Sequence, residues 1–276
     1  MNKLLHSILI PCSFFYPEGP IIQDNGISLT QYSKNNIVTV AQNSKTPKVF
    51  WEEDKCGPAS QIKLKAMGQT LVSCYDKNEV VLIDPEGKTL NRYTHPKLEG
   101  PNDFALIDDH TVLVSASGVF DPKAPVTGKI FLLKNGKFQV LTEDIHYPNG
   151  LAYIPELKKV IVSEHLANRL LSFDFDGKRL TNKKIFYELP RTNKDLFLGP
   201  DGLKKRDSKN SLLMAQYGGG QILEVDFSGK LVKTYPLKDK YPTNLALQND
   251  QEMFVTIMKD AANPPYNGRI DVIKLD

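Results

Sequence analysis

The chain repeats one short phrase, and that repeat constrains the fold more than any other feature of the sequence. Gly100-Pro101-Asn102-Asp103 leads into Phe104-Ala105-Leu106. Tyr147-Pro148-Asn149-Gly150 leads into Leu151-Ala152, and Gly199-Pro200-Asp201-Gly202 into Leu203. Weaker copies are Glu18-Gly19-Pro20-Ile21-Ile22, Gly57-Pro58-Ala59-Ser60 and Tyr241-Pro242-Thr243-Asn244-Leu245. Each is a Pro-containing corner that delivers one short polar side chain before an apolar run. The polar residues are Glu18, Ser60, Asn102, Asn149, Asp201 and Asn244. Their positions differ successively by 42, 42, 47, 52 and 43 residues.

Between the corners, almost no segment sustains the apolar spacing of a helix. Short runs rich in Val, Ile, Leu, Phe and Tyr alternate with Gly, Asn, Asp and Pro. Asn135-Gly136, Asp176-Gly177 and Ser228-Gly229 supply the positive φ that tight hairpins need. Six units of this length, each with about four short strands, predict an all-β chain. The expected fold is a six-bladed β-propeller of four-stranded antiparallel blades around a central channel. In the fourth unit the corner strand is followed by strands expected at 159–164, 169–175 and 184–189. Only three strand candidates follow Asn244, so the N-terminal run Leu4–Ile10 is expected to close the last blade and cover its edge. Residues 1–276 then form a single domain with no linker. The Pro-rich stretches Asp121–Pro125 and Asn263–Pro265 read as rims of a pocket.

Several classes of function are excluded. The formal charge is only +3 and the lysines are scattered, so no footprint for nucleic acid or an anionic membrane is present. Lys3 and the apolar residues after it resemble a short signal peptide. Pro11 stands where cleavage wants a small residue, and His6 and Ser7 interrupt the run. The three cysteines, Cys12, Cys56 and Cys74, form no CxxC pair and are expected to be reduced, buried thiols. A cytoplasmic protein fits that expectation. So does a monomer or weak homo-oligomer acting on a small molecule.

The innermost strand of every propeller blade lines the channel, so equivalent corner residues face one another. Glu18, Asn102, Asn149 and Asp201 would present two carboxylates and two amide oxygens to one point. An all-oxygen set suits a hard divalent cation, Ca²⁺ first and Mg²⁺ or Mn²⁺ next; Zn²⁺ also accepts carboxylates. The bland reading is that Pro-Asn-Gly and Pro-Asp-Gly are ordinary turns. Their recurrence at the blade period, each before an apolar strand, favours a site.

In order, Glu-Gly-Pro, Pro-Asn-Asp, Pro-Asn-Gly-Leu and Pro-Asp-Gly-Leu resemble the senescence-marker-protein/gluconolactonase/luciferin-regenerating-enzyme superfamily. The likeness spans nearly the whole chain and extends to Gly218–Asp226 and Pro242–Ala246. It implies a six-bladed propeller with a divalent metal on the axis, held by Glu18, Asn149 and Asp201. Asn102 becomes a fourth ligand or a substrate contact, and Asp201 the general base or nucleophile. The implied reaction is opening of a lactone to a hydroxy acid. Rival readings are a phosphotriesterase or aryl esterase at the same site, or a binding propeller whose metal is structural. One departure concerns the substrate: sugar-lactonase members often carry an Arg where this chain has Gly100. Ser115–Gly118 also lacks an Asp common in the family, so a second metal site is not expected.

Other polar residues carry weaker expectations. Asp103 is either an acceptor that fixes Asn102 or a turn cap. Ser60 and Asn244 could face the channel near the metal. His146 reads as a packing histidine with a channel-mouth role as the alternative, and His165 as a strand-end residue with a position at the channel as the alternative. Tyr217 and Gly218–Gly220 suggest a tight inter-strand bend, with pocket lining second. Trp51 suggests core or rim packing.

Overall fold

A computed structural model describes residues 12–41, 44, 46–191 and 194–275. Its strands form six four-stranded antiparallel sheets. Blade one holds β2 (Pro17–Gln23), β3 (Gly26–Gln31), β4 (Asn36–Ala41) and β5 (Lys48–Glu52). Blade two holds β6 (Pro58–Leu64), β7 (Gln69–Cys74), β8 (Glu79–Ile83) and β9 (Thr89–Thr94). Blade three holds β10 (Pro101–Asp108), β11 (Thr111–Ala116), β12 (Gly128–Lys134) and β13 (Lys137–Ile145). Blade four holds β14 (Pro148–Ile154), β15 (Lys159–Glu164), β16 (Arg169–Phe175) and β17 (Leu180–Glu188). Blade five holds β18 (Gly199–Arg206), β19 (Ser211–Tyr217), β20 (Gln221–Asp226) and β21 (Leu231–Pro236). Blade six combines β22 (Tyr241–Asn249), β23 (Glu252–Met258) and β24 (Asn267–Lys274) with β1 (Phe14–Phe15).

Among the described residues the ring closes through the N-terminal part of the chain. Phe14 pairs with Gly268 and Phe15 with Asn267. The expected closing strand at 4–10 lies outside the described residues. Phe14 is fully buried among Ile27, Leu29, Phe254 and Ile270, sealing the seam between blades six and one. The Thr243 hydroxyl crosses the same seam, donating to the Pro17 carbonyl at 2.7 Å. Apolar clusters fill the spaces between successive blades, and Trp51 belongs to one of them, its indole N–H on the Thr89 hydroxyl.

The corner sequences are not turns. They lie within the six inner strands, and each inner strand changes register at its corner. Such a bulge re-aims one side chain and frees a backbone N–H. Hydroxyls on the neighbouring strand take up several of these donors. Ser60 N–H donates to Ser73 Oγ at 2.8 Å, Asp103 N–H to Ser115 Oγ at 2.9 Å, and Asn244 N–H to Thr256 Oγ1 at 3.0 Å. Other hydroxyls link one blade to the next: Ser73 donates to the Asn102 carbonyl and Ser117 to the Pro148 carbonyl, both at 2.6 Å.

The glycine after the polar residue has a steric cause. A Cβ at Gly150 would lie 2.4 Å from the Asp201 carbonyl oxygen and 2.5 Å from Leu203 N. A Cβ at Gly202 would meet the Asn244 side chain at 2.4 Å. Inner strands thus pass each other too closely for any side chain at these points.

The cysteine expectation is corrected. Cys56 and Cys74 form a disulfide with Cα atoms 4.5 Å apart. The hairpin register sets Pro58 opposite Cys74, which carries Cys56 to its partner without any spacing motif. Cys12 is buried.

Gly150→Ala is expected to destabilise the protein by about 1–3 kcal/mol, the usual range for overpacking. A lower urea midpoint would be measured; an unchanged midpoint would contradict the close approach of β14 and β18.

Candidate active site

Glu18, Asn102, Asn149 and Asp201 all line one cavity of about 270 Å³ at the channel mouth. All four are nearly out of solvent contact, with 4–9% relative exposure. Asn149 donates a side-chain hydrogen bond to Asp201. The Asn244 carboxamide oxygen accepts from Leu245 N–H at 2.9 Å, which leaves its amino group to donate to Glu18. Gly19 N–H also donates to Glu18. Asn244 therefore acts beside Glu18 rather than in the cavity lining.

The electrostatics of this floor are unfavourable to bare carboxylates. Burial pushes the Glu18 carboxyl well above its usual range, and the nearby Asp201 and Asp103 charges push it further. Burial also raises Asp201 well above its ordinary value, with Asp103 adding to the effect. No Lys or Arg side chain forms an ion pair with Glu18 or Asp201 among the described residues. The nearest compensation is Lys204, whose ammonium lies 3.6 Å from Asp103. Asp103 itself accepts from the Ser60 hydroxyl at 2.7 Å. Its carboxylate thus engages Ser60 rather than Asn102, and neither role expected for it from the sequence describes it.

Those properties test whether a cation fits. Two carboxylates and two carboxamides from four inner strands line the same buried cavity, a donor set whose chemistry suits a hard divalent ion. Among the described residues no three His, Cys, Asp or Glu side chains group as metal ligands, so Asn102 and Asn149 would have to complete the set.

The walls are a collar of rings that the sequence reading largely missed. Tyr16, Tyr32, Tyr75, Phe120, Tyr147, His165, Tyr217 and Tyr266 surround the floor, with Met258 and Ala261. Four of these occupy one structural position, at the end of a blade's second strand or just beyond it. Tyr32, Tyr75, His165 and Tyr217 stand 14 to 16 residues after Glu18, Ser60, Asn149 and Asp201. Three open similar tetrapeptides: Tyr32-Ser33-Lys34-Asn35, Tyr75-Asp76-Lys77-Asn78 and His165-Leu166-Ala167-Asn168. Each ends on an Asn with φ between 53° and 56°, a left-handed conformation that Asn tolerates. Asn35 and Asn78 then reach the next blade and accept from Gly57 and Gly100 N–H, both at 2.8 Å. This second repeat was the available signal for the collar.

His165 is thus a cavity residue and not an ordinary strand end. It is 1% exposed, its Nε2 lies 2.9 Å from the Phe197 carbonyl, and burial lowers its pKa to about 4. The ring is uncharged at neutral pH, and Nε2 carries the proton given to Phe197. Burial also raises Tyr16, Tyr75 and Tyr147, which stay protonated. His146 does not line the cavity; its backbone N–H donates to Glu164. Gly100 has φ of 58°, and a Cβ there would lie 2.7 Å from the Tyr75 ring. Tyr75 fills the space into which a longer residue at 100 would project.

Residues 16–259 match the family model described as the SMP-30/Gluconolactonase/LRE-like region. The chain belongs to that family. A curated relative from Sulfolobus acidocaldarius, described only as an uncharacterized protein, is 26% identical over 159 residues. That match covers 55% of this chain and 56% of the relative, so it spans about half of each protein. Similar solved structures include the calcium-binding protein regucalcin from Agrobacterium tumefaciens, with TM-score 0.79 and 17% identity over 96% of this chain and 92% of that one. A luciferin-regenerating enzyme gives 0.77 and 18% over the same shares, and a gluconolactonase from Xanthomonas campestris 0.74 and 17% over 94% and 87%. These likenesses establish the shared propeller fold.

A stability prediction follows from the floor. Carboxyls raised in the folded state contribute full stability below their unfolded values, about 4, and lose it as pH rises through the folded values. In chelator, the melting temperature should fall as pH climbs from 4 towards 8, and Asp201→Asn should melt above wild type at pH 8. A flat wild-type profile with no gain in the variant would contradict the repulsion.

Proposed function

We propose that the protein is a metal-dependent hydrolase that opens a lactone to a hydroxy acid. The observation that carries this reading is the buried floor of Glu18, Asn102, Asn149 and Asp201 beneath a small-molecule cavity. Gluconolactonase-family membership supports a lactonase-type reaction. Regucalcin's description as calcium-binding supports Ca²⁺ as the ion, with Mg²⁺, Mn²⁺ and Zn²⁺ as alternatives the same oxygens accept.

Glu18, Asn149 and Asp201 would hold the cation, and Asn102 would be a fourth ligand or a contact to the substrate carbonyl. A divalent ion there, when bound, supplies Lewis-acid polarisation of the ester carbonyl and lowers the pKa of water. Asp201 serves as general base. Its carboxylate, poorly solvated and oriented by Asn149, takes a proton from the attacking water. Oxygen adds to the carbonyl carbon, the ring C–O bond breaks, and the ring oxygen leaves as an alcohol on taking a proton. At neutral pH the new carboxylic acid releases one proton per ring opened. Uncharged His165 and the tyrosine collar exclude water from the rest of the cavity.

No helix among the described residues is long and apolar enough to cross a membrane. The Cys56–Cys74 bridge removes the support that reduced thiols gave to a cytoplasmic setting.

Proton release from a lactone panel, followed with a pH indicator, tests the proposal. Turnover should vanish in chelator and return with Ca²⁺. Asp201→Asn should lose about 10²–10⁴-fold in kcat, the range for a general base, while keeping its circular dichroism. Chelator-insensitive turnover, or an active Asp201→Asn, would overturn it.

A further inference from the structure

We infer that the cavity selects a lactone whose ring carries an apolar chain, and that Phe120 is the residue that sets this preference. The inference deepens the lactonase reading and rests on it. The carboxylates and carboxamides of the cavity are on the floor, and among the described residues no Lys or Arg lines it. A sugar lactone needs partners for several hydroxyls outside the ester. Three of the collar's six tyrosine hydroxyls are already engaged within the protein. Tyr32 donates to Asp76 at 2.8 Å, Tyr75 to the Gly118 carbonyl at 2.5 Å, and Tyr147 to the Tyr75 hydroxyl at 3.3 Å. The Tyr75 ring also fills the space beside Gly100 that a longer polar side chain would need.

Phe120 sits at the centre of the aromatic wall. Its ring centroid lies 4.7 Å from that of Tyr147, 4.8 Å from Phe197 and 5.2 Å from His165. It stands in the loop between β11 and β12, next to the Pro-rich stretch that the sequence marked as a rim. The apolar surface does not stop at the mouth. Val119 is 56% exposed, Leu196 65% and Phe197 37%, each adjoining Phe120 in sequence or through Phe197 in space. An isolated exposed apolar residue needs no explanation, but these continue the cavity wall outward. A lactone ring on the floor would therefore send its substituent past Phe120 and along this lip.

The test compares γ-butyrolactone, γ-nonalactone and glucono-δ-lactone by proton release, with Ca²⁺ present. Wild type should favour γ-nonalactone over the other two by at least about tenfold in kcat/KM, the order that apolar pocket contacts supply. Phe120→Ala should reduce the ratio of γ-nonalactone to γ-butyrolactone by about tenfold, through KM, and Phe120→Leu should recover most of it. Opening of all three lactones without preference, or fastest opening of glucono-δ-lactone, would overturn the inference and leave the lactonase reading intact. If none opens, that reading fails, and binding of the same compounds, followed by tyrosine fluorescence, decides the selectivity. Tenfold tighter binding of γ-nonalactone than of glucono-δ-lactone upholds it; equal or absent binding overturns it.

Discussion

Everything in this molecule depends on how closely six inner strands approach around one axis. Gly150 and Gly202 permit contacts that no Cβ would survive. The register shift at each corner then turns one side chain towards the channel, while Ser73, Ser115 and Thr256 accept backbone N–H groups that the shift frees. The same constraint that closes the ring thus brings four of the six polar corner residues to one cavity. A looser ring would leave those groups solvated and apart.

Convergence has an electrostatic cost. Glu18 and Asp201 are brought together, out of water, with Asp103 nearby and, among the described residues, only Lys204 as counter-charge to it. Amide donors from Asn149 and Asn244 offset part of this, but an amide cannot neutralise a carboxylate. A divalent cation can, which is why the floor reads as a centre for chemistry and not as a packing accident. The same cavity changes character from carboxylates to rings that meet at tilted and edge-on angles. In the proposed reaction, acid and amide on the floor would handle the ester group, and the collar whatever is attached to it.

The blade number and the four floor residues were legible because each blade repeats at nearly constant length and places its polar residue at the same point. The place of those corners inside the strands was not legible, since Pro-Asn-Gly is a turn sequence in isolation and becomes a strand bulge only through pairing with a neighbouring strand. The collar was half-legible: Tyr32, Tyr75, His165 and Tyr217 recur behind the corners, yet the change of residue type at His165 hides the repeat. Phe120 follows no repeat, because an irregular loop brings it in. The Cys56–Cys74 bridge and the two-residue latch at Phe14 depend on hairpin register and on one buried ring, neither of which spacing reveals.

The central claim is that the corners build a cation centre on the channel axis. A crystal structure of the protein soaked in Mn²⁺ or Ca²⁺, with anomalous difference maps, tests it most directly. The account predicts one peak bounded by oxygens of Glu18, Asn149 and Asp201, at about 2.3–2.6 Å for Ca²⁺. An ordered floor with no peak, or an ion held only elsewhere, would contradict it.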